Sequence, residues 1–160
     1  QEIQRFNHLL SEEVLPVKGL DPVADAFAGT VTSDVVSLSL YEKVCFLVYK
    51  GVGATGTSTL TVQASAANDG GTPTAIPFRS RRLGTGGVPD AVVQQAAAGF
   101  NTTAGSSDMY LIEVLAKDLP EGKPWVHLKA VEVVDSPVVG CIIPLLGDPK
   151  YSGAELPSAI

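Results

Sequence analysis

Charge is scarce in this chain: only 18% of its residues are Asp, Glu, Lys or Arg, 11 basic against 17 acidic, for a net charge of −6 at pH 7. The densest positive cluster is Arg79, Arg81 and Arg82. That is too small a face for a phosphate backbone, so nucleic acid is not an expected partner. No apolar run reaches the ~18 residues of a membrane-spanning helix, and no membrane partner is expected either. QEIQRFNHLL lacks the basic, apolar and small-residue succession of a signal peptide, so none is expected there.

Reactive side chains are equally few. The two histidines, His8 and His127, and the two cysteines, Cys45 and Cys141, are far apart and show no ligand spacing, so no metal is expected. Each cysteine lies in an apolar run and is read as a buried, reduced thiol acting as a small hydrophobe. His127 is read as an ordinary surface residue on the polar side of a strand. Nothing resembles a nucleophile elbow, and Glu42, Glu113 and Glu132 read as single outward charges, not as paired catalytic carboxylates. Asn101-Thr102-Thr103 is read as loop. No catalytic set, metal or cofactor is expected, and the chain is not expected to be an enzyme.

What the sequence does have is alternation, with apolar residues at 45%. Val44 to Val48 (VCFLV) is apolar at every position, the pattern of a central strand covered on both sides. In TSTLTVQASA, Leu60, Val62 and Ala64 alternate with Thr59, Thr61, Gln63 and Ser65, as in a half-buried strand. Tyr110, Ile112 and Val114 share one side of MYLIEVLA, WVHLKAVEVV alternates again, and VVGCIIPLL reads as a last buried strand interrupted by Pro144. ANDGGTP and KDLPEGKP are turn chemistry. PDAVVQQAAA fits either a short helix opened by Pro89 or a loop or edge segment. Period-two runs separated by turns, with almost no helix, give an all-β fold: a single-domain β-sandwich or jelly-roll-like barrel.

Two stretches stand apart. Gly51 to Gly56 (GVGATG) matches the G-x-G-x-x-G fingerprint of dinucleotide loops and comes directly after a strand. The fingerprint needs a helix next, whose N-terminus holds the pyrophosphate, whereas TSTLTV has strand spacing. The match is therefore read as a hairpin connection whose glycines supply positive φ. At the start of the chain, hydrophobes without sustained period, cut by Pro16 and Pro22, read as an extended N-terminal arm with one helical turn. The organisation expected is an arm over 1–24, a β-sandwich over 25–151 and a tail over 152–160. Ile3, Phe6, Leu9 and Leu10 are the candidate contacts with a neighbouring subunit or capsid.

Four segments carry a resemblance: GVGATGTSTLTV (Gly51 to Val62), AIPFRSR (Ala75 to Arg81), GFNTTAGSSDMYLIEV (Gly99 to Val114) and VHLKAVEVVDSPVVGCIIPLLGDPKY (Val126 to Tyr151). In this order they resemble the head structural proteins of tailed bacteriophages of the capsid decoration, or cement, type. The chain departs from that pattern at His127, at Lys150 and in GTGGVPDAVV. The resemblance implies a protein of the virion, on the capsid exterior, whose partners are the phage major capsid protein and its own copies in a homotrimer. A β-sandwich of a virion spike and a tail-tube or head-completion component are the rival expectations.

Overall fold

Alternation along the chain becomes two layers. The computed structural model describes residues 9–52, 55–84, 86–105, 107–150 and 156–160. Its elements run α1 (Leu10–Glu13), β1 (Val14–Pro16), β2 (Leu20–Val23), β3 (Thr30–Thr32), β4 (Val36–Ser37), β5 (Tyr41–Lys50), β6 (Thr57–Ser65), β7 (Thr74–Ile76) and β8 (Phe78–Leu83). They continue with β9 (Val93–Gln95), β10 (Phe100–Asn101), β11 (Asp108–Leu115), a single 3-10 turn (Ala116–Asp118), β12 (Trp125–Val134) and β13 (Gly140–Pro149). PDAVVQQAAA thus resolves to the edge strand β9, not to a helix.

All strand pairs are antiparallel and fall into two sheets. The first has the order β1-β13-β5-β11-β8-β9, with β2 also on β13; the second has β10-β6-β12-β3, with β4 on β12 and β7 on β6. The two pack face to face as a β-sandwich. The first sheet sends Val44, Phe46, Val48, Ile112, Ile142 and Leu146 inward, and the second sends Leu60, Val62, Ala64, Val126, Leu128 and Ala130. Phe100 of β10 bridges the layers, its ring 6.1 Å from Phe78 and 5.6 Å from Tyr110.

Pro144 does not interrupt β13, which runs unbroken from Gly140 to Pro149. In an antiparallel strand the N–H and C=O of one residue point to the same side. The Pro144 carbonyl accepts from Val17 N at 2.8 Å, so its missing N–H also faces that edge and not β5. The gap between β1 and β2 falls there, and Gly19 lies so close to the ring that a Cβ would stand 2.6 Å from Pro144 Cδ.

The glycine-rich stretch is not a hairpin. β5 and β6 belong to different sheets, so the connection crosses from one layer to the other and runs into a strand, not a helix. Gly53 and Ala54 lie outside the described residues. Neither Gly51 nor Gly56 has positive φ. They are small because of crowding: a Cβ on Gly56 would meet Ser136 O at 2.4 Å, and one on Gly51 would meet Val139 Cγ1 at 2.7 Å.

The outward faces differ. On the second sheet the outward positions of β6 are Thr59, Thr61 and Gln63, opposite Val131, Lys129 and His127 of β12. On the first, Leu47 of β5 stands between Leu111 of β11 and Ile143 of β13, with Tyr49 between Met109 and Cys141 and Cys45 between Glu113 and Leu145. β5 is therefore central in its sheet but, among the described residues, not covered on both sides. Its inner side chains are fully buried, whereas Cys45 and Leu47 are half-exposed and Tyr49 is 44% exposed.

Candidate functional surface

Four features carry chemistry or contact potential. The arm is the first. Glu12 folds back on the turn before it, Leu9 N donating to its Oε2 at 2.9 Å while Glu12 N donates to Leu9 O at 2.9 Å. This local closure sets one helical turn, and Val14 to Pro16 then pair with Gly147 to Leu145. The turn presents its hydrophobes outward, Leu9 at 67% and Leu10 at 73% exposure. Ile3 and Phe6, the other candidate contacts, lie outside the described residues. The spacing of Leu9 and Leu10 signalled a lack of commitment to the domain's own core, and the structure leaves both in solvent.

Beside the arm is an open groove of about 510 Å³, with Leu15, Val17 and Lys18 on one wall and Leu156, Ser158 and Ile160 on the other. The C-terminal segment that forms this second wall is pinned to the body. Ser37 N donates to Ala159 O at 2.8 Å, Tyr41 Oη donates to Pro157 O at 2.6 Å, and Ala159 is buried.

The third feature is a buried polar cluster that the sequence did not reveal. Lys50 and Asp108 are register partners at one end of the first sheet, 3% and 2% exposed. Lys50 Nζ donates to Thr103 O at 2.8 Å, Gly56 O at 3.2 Å and Thr102 Oγ1 at 3.5 Å. Asp108 takes two bonds from Arg82 Nη2, at 3.0 and 3.2 Å. Burial pushes the Lys50 amine below its usual value, with Asp108 opposing the shift and Arg82 adding to it. Lys50 thereby ties the crossover after β5 to the loop before β11. Lys50 and Asp108 are both buried, and the cluster clips the two loops together. A lysine ending a hydrophobic strand was the one signal in the sequence, and a surface strand end reads the same way.

His127 is the fourth. It is on the outward side of β12, but it is 4% exposed and not a surface residue. The Ala67–Gly71 turn folds over it, bringing Gly70 so near that a Cβ there would lie 3.4 Å from Cε1 and 3.5 Å from Nδ1. Nε2 lies 3.0 Å from Gln63 Oε1, and Nδ1 has no partner among the described residues. Burial, then the Lys129 charge, lowers its pKa.

The cysteines also differ from expectation. Both are free, as expected, but each is half-exposed on the outer face of the first sheet, not buried in the core. Cys141 pairs in register with Tyr49, four residues along β5 from Cys45, a separation of roughly 13 Å at strand rise. That is beyond disulfide reach. Crowding by neighbours, with the Glu113 carboxylate adding, pushes the Cys45 thiol up to about 12, so it is a poor nucleophile. Among the described residues, no three His, Cys, Asp or Glu side chains converge as a metal site, and no helix is long and apolar enough to cross a membrane.

The chain matches no protein-family model and no curated protein. Its fold is similar to that of the SPBc2 prophage-derived protein YomS, at a TM-score of 0.46 and 9% sequence identity, over 85% of this chain and 94% of that one. Likeness of that degree carries no information about function.

Proposed function

We propose that this chain is a phage capsid decoration protein that binds the outer surface of the major capsid protein lattice and stabilises the head. The reading starts from the sequence resemblance over residues 25–151. Such a protein performs no reaction; it needs a stable body and a surface that fits its neighbours, and an all-β sandwich with a projecting arm suits that requirement. The observation that carries it is the exposure of Leu9 and Leu10 on a turn that hangs from the sheet edge. Two adjacent leucines held in water gain free energy when a neighbour covers them. Covering both would contribute about 3–6 kcal/mol per copy before ordering costs.

The test uses virions or emptied heads of a phage that encodes this chain. Removing residues 1–13 leaves β1 and β2 paired with β13, and the truncated chain is expected to fold, which circular dichroism checks. The intact chain is expected to decorate the shell and raise its resistance to heat or low ionic strength, and the truncated chain to bind at least tenfold more weakly. Equal decoration by the truncated chain overturns the role of the arm. Finding the intact chain in tails, or on no virion surface, overturns the decoration reading itself.

A further inference from the structure

His127 stands on the outward side of its strand and is nonetheless buried, and the cover is a single turn, Ala67–Gly71. The bonds of that turn are local. Ser65 Oγ donates to Ala67 O at 3.0 Å, Gly70 N donates to Ala67 O at 3.1 Å, and Gly71 N donates to Asp69 Oδ1 at 2.8 Å. Among the described residues no hydrogen bond joins the turn to β12 or to the link between β3 and β4. Ala67, Asn68, Asp69 and Gly71 are exposed, and Gly70 alone is half-buried. A Cβ at Gly70 would meet Val35 Cγ2 at 3.3 Å and the His127 ring at 3.4 Å. The turn thus rests on His127 and Val35 by contact alone, which is how a segment that opens by itself is held.

The ring beneath it can take a proton only at one atom. Nε2 faces the Gln63 Oε1 acceptor at 3.0 Å and so carries the hydrogen of the neutral ring. Nδ1 holds the lone pair, buried under Gly70, with no partner among the described residues. A proton added there becomes an N–H, and a charge, with no acceptor in reach. The surrounding strands offer no counter-charge: β3, β4, β6 and β7 contain no titratable residue. The charged groups nearby are Lys129, two residues along β12 and adverse, Asp69 in the turn, whose Oδ1 is taken by Gly71 N, and the exposed Asp34 beside Val35. Water is the acceptor that remains, and it reaches Nδ1 when the turn moves off.

We propose that the Ala67–Gly71 turn is a proton-operated flap, seated while His127 is neutral and lifted when Nδ1 takes a proton. Burial and Lys129 hold the closed form's histidine below 6.5, whereas in the open form the ring meets water and titrates near its ordinary value. The open form therefore binds more protons, and opening is favoured as pH falls through 6.5 towards the closed-state value. Within that window the ratio of open to closed rises by up to about tenfold per pH unit, and below it the ratio is constant. The outer face of the second sheet is thereby closed and neutral at this point above the window, and open and positive below it. The device works in the isolated chain and does not depend on the capsid reading.

Nuclear magnetic resonance of the natural chain between about pH 8 and pH 5 reads both halves of this coupling. The imidazole proton shifts follow the titration of His127, and the protection of the Gly70 and Gly71 amides, corrected for intrinsic exchange, follows the turn. Protection of those two amides is expected to be constant above the window and to fall by up to about tenfold per pH unit within it. Leu128 and Ala130, buried on β12, are expected to stay protected throughout. His127→Gln is expected to make the turn amides indifferent to pH, and Asp69→Asn to leave their response in place. Should His127→Gln fail to fold, Gly70→Ala serves instead: its Cβ, at φ +71, crowds the ring and Val35. It is expected to loosen the turn at neutral pH and to raise the His127 titration towards 6.5. Turn protection that does not change with pH overturns the proposal, as does a loss shared equally by β12, which is global unfolding. A response that survives His127→Gln or vanishes in Asp69→Asn overturns it too, as does a His127 that titrates at or above 6.5 beneath a protected turn.

Discussion

The two outer faces of the sandwich are built by one rule and end in opposite chemistries. Each sheet sends every second side chain into a shared core. What is left on the outside is mainly Thr59, Thr61, Gln63 and Lys129, with Val131, on one layer, and mainly Leu47, Leu111, Ile143 and Leu145, rimmed by Lys43, Glu113, Arg79 and Arg81, on the other. In the first set Thr59 Oγ1 donates to Asn101 Oδ1 at 2.6 Å and Gln63 meets His127, with a turn closing over the ring. The second set satisfies nothing by facing solvent. Inward packing alone therefore does not distinguish the layers; the outward residues do.

Phe46 and Leu47, adjacent on β5, break this comparison most sharply because they face opposite ways. Phe46→Ala removes a fully buried ring between the sheets and is expected to cost about 3–5 kcal/mol in urea unfolding. Leu47→Ala is expected to cost about 1 kcal/mol. Comparable losses at the two positions would mean that the outer face is covered within the single chain.

Lys50 tests the junction between the layers. Lys50→Met keeps much of the volume but leaves the Gly56 and Thr103 carbonyls without their donor, and is expected to cost about 1–3 kcal/mol. Hydrogen exchange should quicken in residues 102–105 more than in β12. Uniform quickening would show that Lys50 does not act as a local clip.

The outer faces are next separated by chemical labelling. Replacing Leu47, Leu111 and Ile143 together by Thr gives the first face the character of the second. Binding of an apolar dye is expected to drop severalfold, with little change in melting. The reciprocal change, Thr59→Leu with Thr61→Leu, is expected to raise dye binding. No response to either would mean that the composition of the outer face does not set its exposure to apolar ligands.

The smallest effect concerns pH. Burial and Lys129 hold His127 below its ordinary value of 6.5, so the native protein resists a proton that the unfolded chain accepts. Stability is therefore unaffected by this group well above pH 6.5 and falls as pH drops through 6.5 towards the native value, because the unfolded state then binds more protons. His127→Gln should flatten that part of the pH dependence in thermal melts. A slope unchanged by the substitution would assign it to other groups.

Much of the fold was legible because strand alternation is a local property. Leu60, Val62 and Ala64 against Thr59, Thr61 and Gln63 needed no knowledge of the partner strand to be read as inside and outside. GVGATG was correctly separated from a nucleotide loop by the residues after it, since Thr57 to Val62 at strand spacing leave no helix N-terminus. Its assignment as a hairpin failed for a reason no local pattern contains: whether two successive strands pair or separate into different layers depends on β11 and β13 competing for β5. Pro144 misled in the same way, because a missing N–H matters only if a partner strand faces it.

By itself, then, the sequence did not determine that residues 14–23, read as arm, pair with β13 as β1 and β2, but it determined the long strands, their inward residues and the all-β class. These follow from side-chain period and backbone chemistry within a few residues. Only the tertiary structure decided that, among the described residues, no element covers the second apolar side of β5, that a turn from residues 67–71 buries His127, and that Lys50 and Asp108 are buried at one end of the sandwich. Each of those depends on which distant segment comes to lie against a residue, and burial by a distant segment leaves no mark on the residue it covers.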